Sequence, residues 1–260
     1  MRVAYDVEGE GPALALLHPL GTDRRVWSPV VRYLREEREL ILIDLPGFGQ
    51  SPPLEGRPTP RALAGAVAEL LRELGIDRGH VAGNSLGGWV ALELALRGSV
   101  LSATAIAPAG LWPSPLVPKP SAAHLLAGRL LPVVGSVAAT APGRRLLLNS
   151  AVAHPNRVPP AESTHLVRTY ARAPGFIPVN NAMRASRFEG LERIRVPLTL
   201  AWPEHDRLVK RPPWLPENVR NVSIPDTGHI PMWDDPERVA EILLTGSGGS
   251  RAETEVKAAS

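Results

Sequence analysis

The sequence predicts an α/β fold: a mostly parallel central sheet with helices on both faces and an inserted helical cap. Three observations predict it. Short apolar runs of strand length alternate with longer runs of helical texture over residues 1–107 and again over 190–245. Between them, over 108–189, that alternation stops. Pro108, Pro113, Pro115, Pro118 and Pro120 crowd one segment, which excludes a long helix or a central strand there. Finally, one strand-to-helix junction carries Gly83-Asn84-Ser85-Leu86-Gly87, a serine flanked by glycines two residues to either side.

The elements follow in order. Residues 2–7 read as a first strand, and residues 13–17 as a buried one ending at His18-Pro19-Leu20-Gly21. A helix is expected over 26–35, and a compact buried strand over 40–44. Pro60 opens a helix that runs to residue 74 and is closed by Gly75. Residues 80–83 and 86–97 form the strand and helix around Ser85, with another strand over 101–107. From 121 to 186 short helical patterns are broken by prolines. Strands are expected again at 197–202 and 219–224, and a last helix at 236–244. The Gly/Ser-rich, aperiodic segment 246–260 is expected to be a disordered tail.

Composition narrows the functional classes. A chain of 260 residues with 44 % apolar content suits one large domain with an inserted lid. No apolar run reaches membrane-spanning length, so no membrane partner is expected. The start, Met1-Arg2-Val3-Ala4-Tyr5-Asp6, lacks a basic-then-apolar leader, which makes a cytoplasmic setting the expectation. The absence of cysteine removes disulfides, thiolate nucleophiles and cysteine-held metal from consideration. With a net charge of +3 and scattered arginines, such as Arg24-Arg25 and Arg144-Arg145, there is no basic stripe to bind nucleic acid. No metal-ligand cluster or dinucleotide fingerprint is evident, so no cofactor is expected and the partner is a small-molecule substrate.

The serine junction carries the chemistry. A sharp turn forces Ser85 to positive φ, which a non-glycine residue tolerates poorly, and the flanking positions must then be small. Such a turn lifts the hydroxyl above the sheet. A neutral hydroxyl needs a base. His229 is the candidate among seven histidines, because Asp226-Thr227-Gly228-His229-Ile230-Pro231 follows the last strand. Loops at the carboxyl ends of parallel strands meet at one rim, which Ser85 shares. A carboxylate must then hold the imidazole. Asp206, after the strand ending at Trp202, is the candidate, and Glu204 is its rival two residues away. Asp226 and Asp234 read as turn and helix-start residues. Developing oxyanion charge needs N–H donors. Leu86 supplies one at the positive end of its helix, and Leu20 is the second candidate, since Pro19 has no N–H. His18 reads as ordering that loop.

Taken together, His18-Pro19, the segment from Asp44 to Ser51, the serine turn, Glu204-His205-Asp206 and Gly228-His229 resemble the α/β-hydrolase superfamily. The resemblance implies the α/β-hydrolase fold, a Ser85–Asp206–His229 catalytic triad, and hydrolysis through an acyl-enzyme. Leu20-Gly21-Thr22-Asp23 with Trp27 is similar to 3-oxoadipate enol-lactonases. Gly83 to Gly88 is similar to meta-cleavage-product C–C hydrolases, although Ile230 stands where those carry an aromatic residue. Dehalogenases and epoxide hydrolases of the superfamily use an aspartate at the position of Ser85. The expected activity is cleavage of a carboxylic ester or lactone of a small, mainly apolar substrate. C–C hydrolysis, a cofactor-free perhydrolase and a ligand receptor on the same fold stay open as alternatives. Asn84, Arg184, Trp112 and Ile230 are candidate substrate-binding residues. Arg184, near Asn180 and Asn181, either binds a substrate carboxylate or lies on the surface of a cap helix, and a tryptophan such as Trp112 is more often packing than a substrate platform.

Overall fold

In the computed structural model, which describes residues 2–117 and 122–248, strand alternation sets the architecture. Strand β1 spans Tyr5–Glu8, β2 Ala13–Leu17, β3 Glu39–Ile43, β4 His80–Asn84, β5 Ser102–Ile106, β6 Leu198–Pro203 and β7 Arg220–Ile224. They form one sheet in the order β1-β3-β2-β4-β5-β6-β7, with β1 antiparallel to β3 and the other pairs parallel. Helices α1 (Ser28–Leu34), α2 (Pro60–Glu73) and α3 (Leu86–Leu96) connect the early strands, and α9 (Pro236–Gly246) ends the described fold. Successive side chains of a strand point to opposite faces. Leu14 and Leu16 of β2 therefore pack with Val30 of α1 and Val239 of α9. Ala15 and Leu17 face the other way, with Leu63 of α2 and Val90 of α3. Burying one such leucine contributes about 1.5–3 kcal/mol, so both helical layers are held by the same short strands.

Among the described residues five α-helices lie between β5 and β6. They are α4 (Ala122–Leu130), α5 (Val134–Ala139), α6 (Ala141–Leu148), α7 (Pro160–Arg172) and α8 (Phe176–Arg184). This is the inserted helical cap, and side-chain and main-chain bonds tie it to the core. His165 of α7 donates to Asp23 at 2.7 Å, and Gly175 N–H donates to Gly47 O at 2.9 Å. Among the described residues no helix is long and apolar enough to cross a membrane.

The structure corrects three expectations. The first strand begins at Tyr5 rather than residue 2. The helix expected from 26 opens as a tight turn over Arg24–Trp27, capped by Asp23, and becomes regular at Ser28, where Pro29 suits a first helical turn. Of the segment from 246, Gly246 closes α9. Ser247 is buried, takes a 3.1 Å bond from the Arg38 guanidinium and donates to Leu243 O at 2.8 Å. Gly/Ser texture reads as linker, and its ordering partner lies far away in sequence. Residues 249–260 of the expected tail fall outside the described residues.

Candidate active site

The strand order reverses between β2 and β4, which pair side by side with Leu17 opposite Gly83. Such a switch point opens a crevice at the carboxyl ends of the strands. The loop after β2 and the turn after β4 meet there. Ser85 occupies that turn at φ 57° and ψ −111°, outside the ordinary wells of an L-residue. The turn is clamped: Ser85 N–H donates to Ile106 O at 2.9 Å, and Ser85 O accepts from Trp89 and Ala109 N–H groups at 3.0 Å each. The glycine spacing is now explained. A Cβ on Gly83 would lie 2.1 Å from Gly87 O, and one on Gly87 would lie 2.2 Å from Leu17 O. Helix α3 starts at Leu86 and is buried on nearly every face, so its positive end is held rigidly behind Ser85.

His229 follows β7 and is buried. Its Nδ1–H donates to Asp206 Oδ2 at 2.8 Å, with both side chains about as shielded as the core. The other carboxylate oxygen of Asp206 accepts the N–H groups of Leu208 and Val209 at 2.7 and 3.0 Å, which fixes its orientation. Glu204 does not compete for the imidazole. It is exposed and accepts Asp226 N–H at 3.0 Å, bracing the positive-φ residue of the His229 loop. Ser85 and His229 both line one cavity of about 1270 Å³ beneath the cap.

Leu20, Trp112, Arg184 and Ile230 line the same cavity. Among the described residues the amides of Leu20 and Leu86 donate to no backbone acceptor, which leaves both available at the switch point. Trp112 is held by its Nε1–H on Ser186 O at 2.8 Å and by an edge-on contact with Trp89. Arg184 donates from Nε to Val117 O at 3.0 Å. His18 is fully buried between Leu45 N–H, which donates to Nε2 at 2.9 Å, and Pro19 O, 2.8 Å from Nδ1. Burial holds its pKa below the ordinary histidine value, against the opposing pull of the Pro19 carbonyl, so the ring is neutral and orders the loop.

Two readings change, those of Asn84 and Asp234. Asn84 does not face substrate. It is fully buried, and its Nδ2 donates to Ile106 O at 3.1 Å and to His229 O at 3.0 Å. It therefore ties the serine turn to the histidine loop. The cavity, at about 1270 Å³, lies above the roughly 300–1,000 Å³ that ligand sites commonly span, so it has room for an extended substrate. The sequence reading missed Asp234. Its buried carboxylate accepts three backbone N–H groups: Gly228 at 2.8 Å, Ala153 at 2.9 Å and His154 at 2.8 Å. It joins the residue before His229 to the cap. The helix-start role assigned to it belongs to Asp235, whose carboxylate accepts Arg238 N–H at 3.0 Å at the start of α9.

A hydrolase fold with a strained serine and a buried His–Asp pair at its rim defines the class, and comparison with known proteins agrees. Residues 14–242 match the Alpha/beta hydrolase family, and the chain belongs to it. It is 34 % identical over 199 residues to the epoxide hydrolase EphH of Mycobacterium tuberculosis, covering 70 % of this chain and 92 % of that protein. It is 35 % identical over 96 residues to a pimeloyl-[acyl-carrier protein] methyl ester esterase of Legionella pneumophila, over 37 % of each chain. The fold is also similar to that of an enol-lactonase from Burkholderia xenovorans, at a TM-score of 0.73 and 20 % identity over 93 % of this chain and 95 % of that one.

Proposed function

We propose that this hydrolase is a serine esterase that cleaves a carboxylic ester or lactone of a mainly apolar substrate through an acyl-enzyme. The observation that carries the reading is the buried 2.8 Å His229–Asp206 pair, whose histidine lines the same apolar cavity as Ser85. His229 Nε2 takes the proton of Ser85 as its Oγ attacks the carbonyl carbon. The Leu20 and Leu86 amides receive the oxyanion, and Asp206 stabilises the imidazolium. The imidazolium then protonates the departing alcohol, leaving an ester on Ser85. Water, deprotonated by His229, attacks that ester and releases the acid. The esterase relative supports the ester reading, and the C–C reading finds no feature beyond the glycine-rich turn.

The test is a fluorophosphonate label mapped by mass spectrometry, together with turnover of aryl esters and lactones. Labelling at Ser85 and a loss of about 10⁴-fold or more in kcat for Ser85→Ala are expected. Near-normal turnover by that variant refutes the serine route.

A further inference from the structure

The cavity combines two features that a purely apolar substrate does not require. Its described lining carries three cationic side chains, Arg184, Lys210 and Arg211, and no acidic one. Among the described residues Lys210 and Arg211 have no ion-pair partner, and Arg184 spends only its Nε, on the Val117 carbonyl. Among the described residues a minority of arginines are ion-paired, Arg24 with Asp6 and Asp44, Arg25 with Glu162 and Arg238 with Glu241 among them, so what sets these three cations apart is that they line one cavity.

The second feature is the rim itself. Leu126, Leu146, Leu208 and Trp214 line the cavity yet are between 54 and 72 % exposed. A cluster of large exposed apolar side chains marks a binding surface. Here it is continuous with the apolar cavity and shares the segment 207–214 with Lys210 and Arg211. An apolar interior, an apolar rim and cations at the rim fit a molecule with an apolar chain and an anionic end.

We propose that this cavity is a binding site for a long-chain anionic amphiphile. The chain fills the space beneath the cap, and a carboxylate or phosphate head sits at the rim against Lys210, Arg211 and Arg184. This deepens the esterase reading by naming the substrate class: an ester in which an apolar chain and an anionic group flank the scissile carbonyl.

Displacement of a fluorescent fatty-acid probe from the full chain tests the site without requiring any turnover, so its outcome is independent of the serine mechanism. Dodecanoate and dodecyl phosphate, held below micelle formation, are compared with dodecanol. The anions should bind up to about fivefold more tightly than the alcohol for each ion pair made, the upper value of an exposed pair at the rim. That preference should shrink toward unity in Lys210→Ala/Arg211→Ala and with added salt, and persist in Lys210→Arg/Arg211→Lys. Equal binding of acid and alcohol, or a preference untouched by the alanine pair, overturns the proposal. So does binding to phosphatidylglycerol vesicles without discrimination among the monomeric ligands, because the rim would then read a lipid surface.

Discussion

Asp234→Asn removes one charge and changes almost no volume, yet the geometry predicts a double effect. The carboxylate accepts N–H groups from both ends of a junction: Gly228 beside His229, and Ala153 with His154 in the cap. An asparagine turned to place its oxygen at Oδ2 keeps the Gly228 and Ala153 bonds and sets its NH₂ against the His154 N–H. Leaving that partly buried donor unpaired costs about 1–3 kcal/mol, and the two retained bonds lose their charge assistance, so the total is about 2–4 kcal/mol. In a domain of this size that lowers Tm by roughly 5–15 °C. The histidine loop also loses its anchor, and a displacement of the base by a fraction of an ångström should lower kcat about 10- to 100-fold.

Thermal scans read the first effect. Ester turnover measured well below the variant's Tm reads the second, so that unfolding does not masquerade as lost rate. Asp235→Asn is the control, because asparagine and aspartate cap a helix almost equally well, and it should stay within about 1 kcal/mol of wild type. If Asp234→Asn is as silent as Asp235→Asn in both assays, the anchoring argument is wrong.

Asp206→Asn should lower kcat by about 10⁴-fold with little change in KM, since the carboxylate supports the imidazolium and stays clear of substrate, whereas Glu204→Gln should be mild. The reverse order, measured on one aryl ester, would move the acid to Glu204. Gly87→Ala drives a Cβ to 2.2 Å from Leu17 O, a backbone atom that cannot step aside, and should cost about 4 kcal/mol or more or leave the protein insoluble. Gly135→Ala, in α5 with open space around the new Cβ, should instead raise stability by about 0.5–1 kcal/mol in the same denaturation assay. Burial holds the pKa of His18 below the ordinary histidine value, and burial with the charge of Arg38 does the same for His80. Below about pH 6.5 the unfolded chain then binds protons that the folded chain refuses, so stability should fall as pH drops through that value. A Tm that stays flat between about pH 7 and pH 5 contradicts this.

How much of this was legible depends on where each residue's partner lies. Ser85, Asp206 and His229 each follow a strand that announces itself by apolar pattern, and parallel strands bring their carboxyl ends to one rim whatever the details. The fold and the three loops could therefore be read in order along the chain. Asn84 was misread because adjacency to Ser85 is not direction. In a strand the neighbouring side chain points away, and here it reaches main-chain carbonyls of β5 and the histidine loop. Asp234 and Asp235 are indistinguishable before Pro236. Only the cap, folded back over the rim, supplies the Ala153 and His154 amides that separate them. The same holds for Ser247, whose partner Arg38 lies at the other end of the chain.

The relatives and the serine raise one chemical question, and the second half-reaction decides it. The chain shares 34 % identity with an epoxide hydrolase. Opening an epoxide through the nucleophile at this turn needs a carboxylate, because attack then leaves an ester, and water can cleave an ester at its carbonyl carbon. A serine attacking the same epoxide carbon would leave an ether. An ether has no carbonyl for water to attack and no oxyanion for the Leu20 and Leu86 amides to receive, so His229 would have nothing to activate water against, and the first turnover would be the last. On an acyl substrate the serine leaves an ester, whose carbonyl water can attack with the Leu20 and Leu86 amides as the proposed oxyanion donors. Under the serine route proposed above, the atom at position 85 is what would select acyl transfer over epoxide opening, with the His229–Asp206 pair and the strained turn serving the same step.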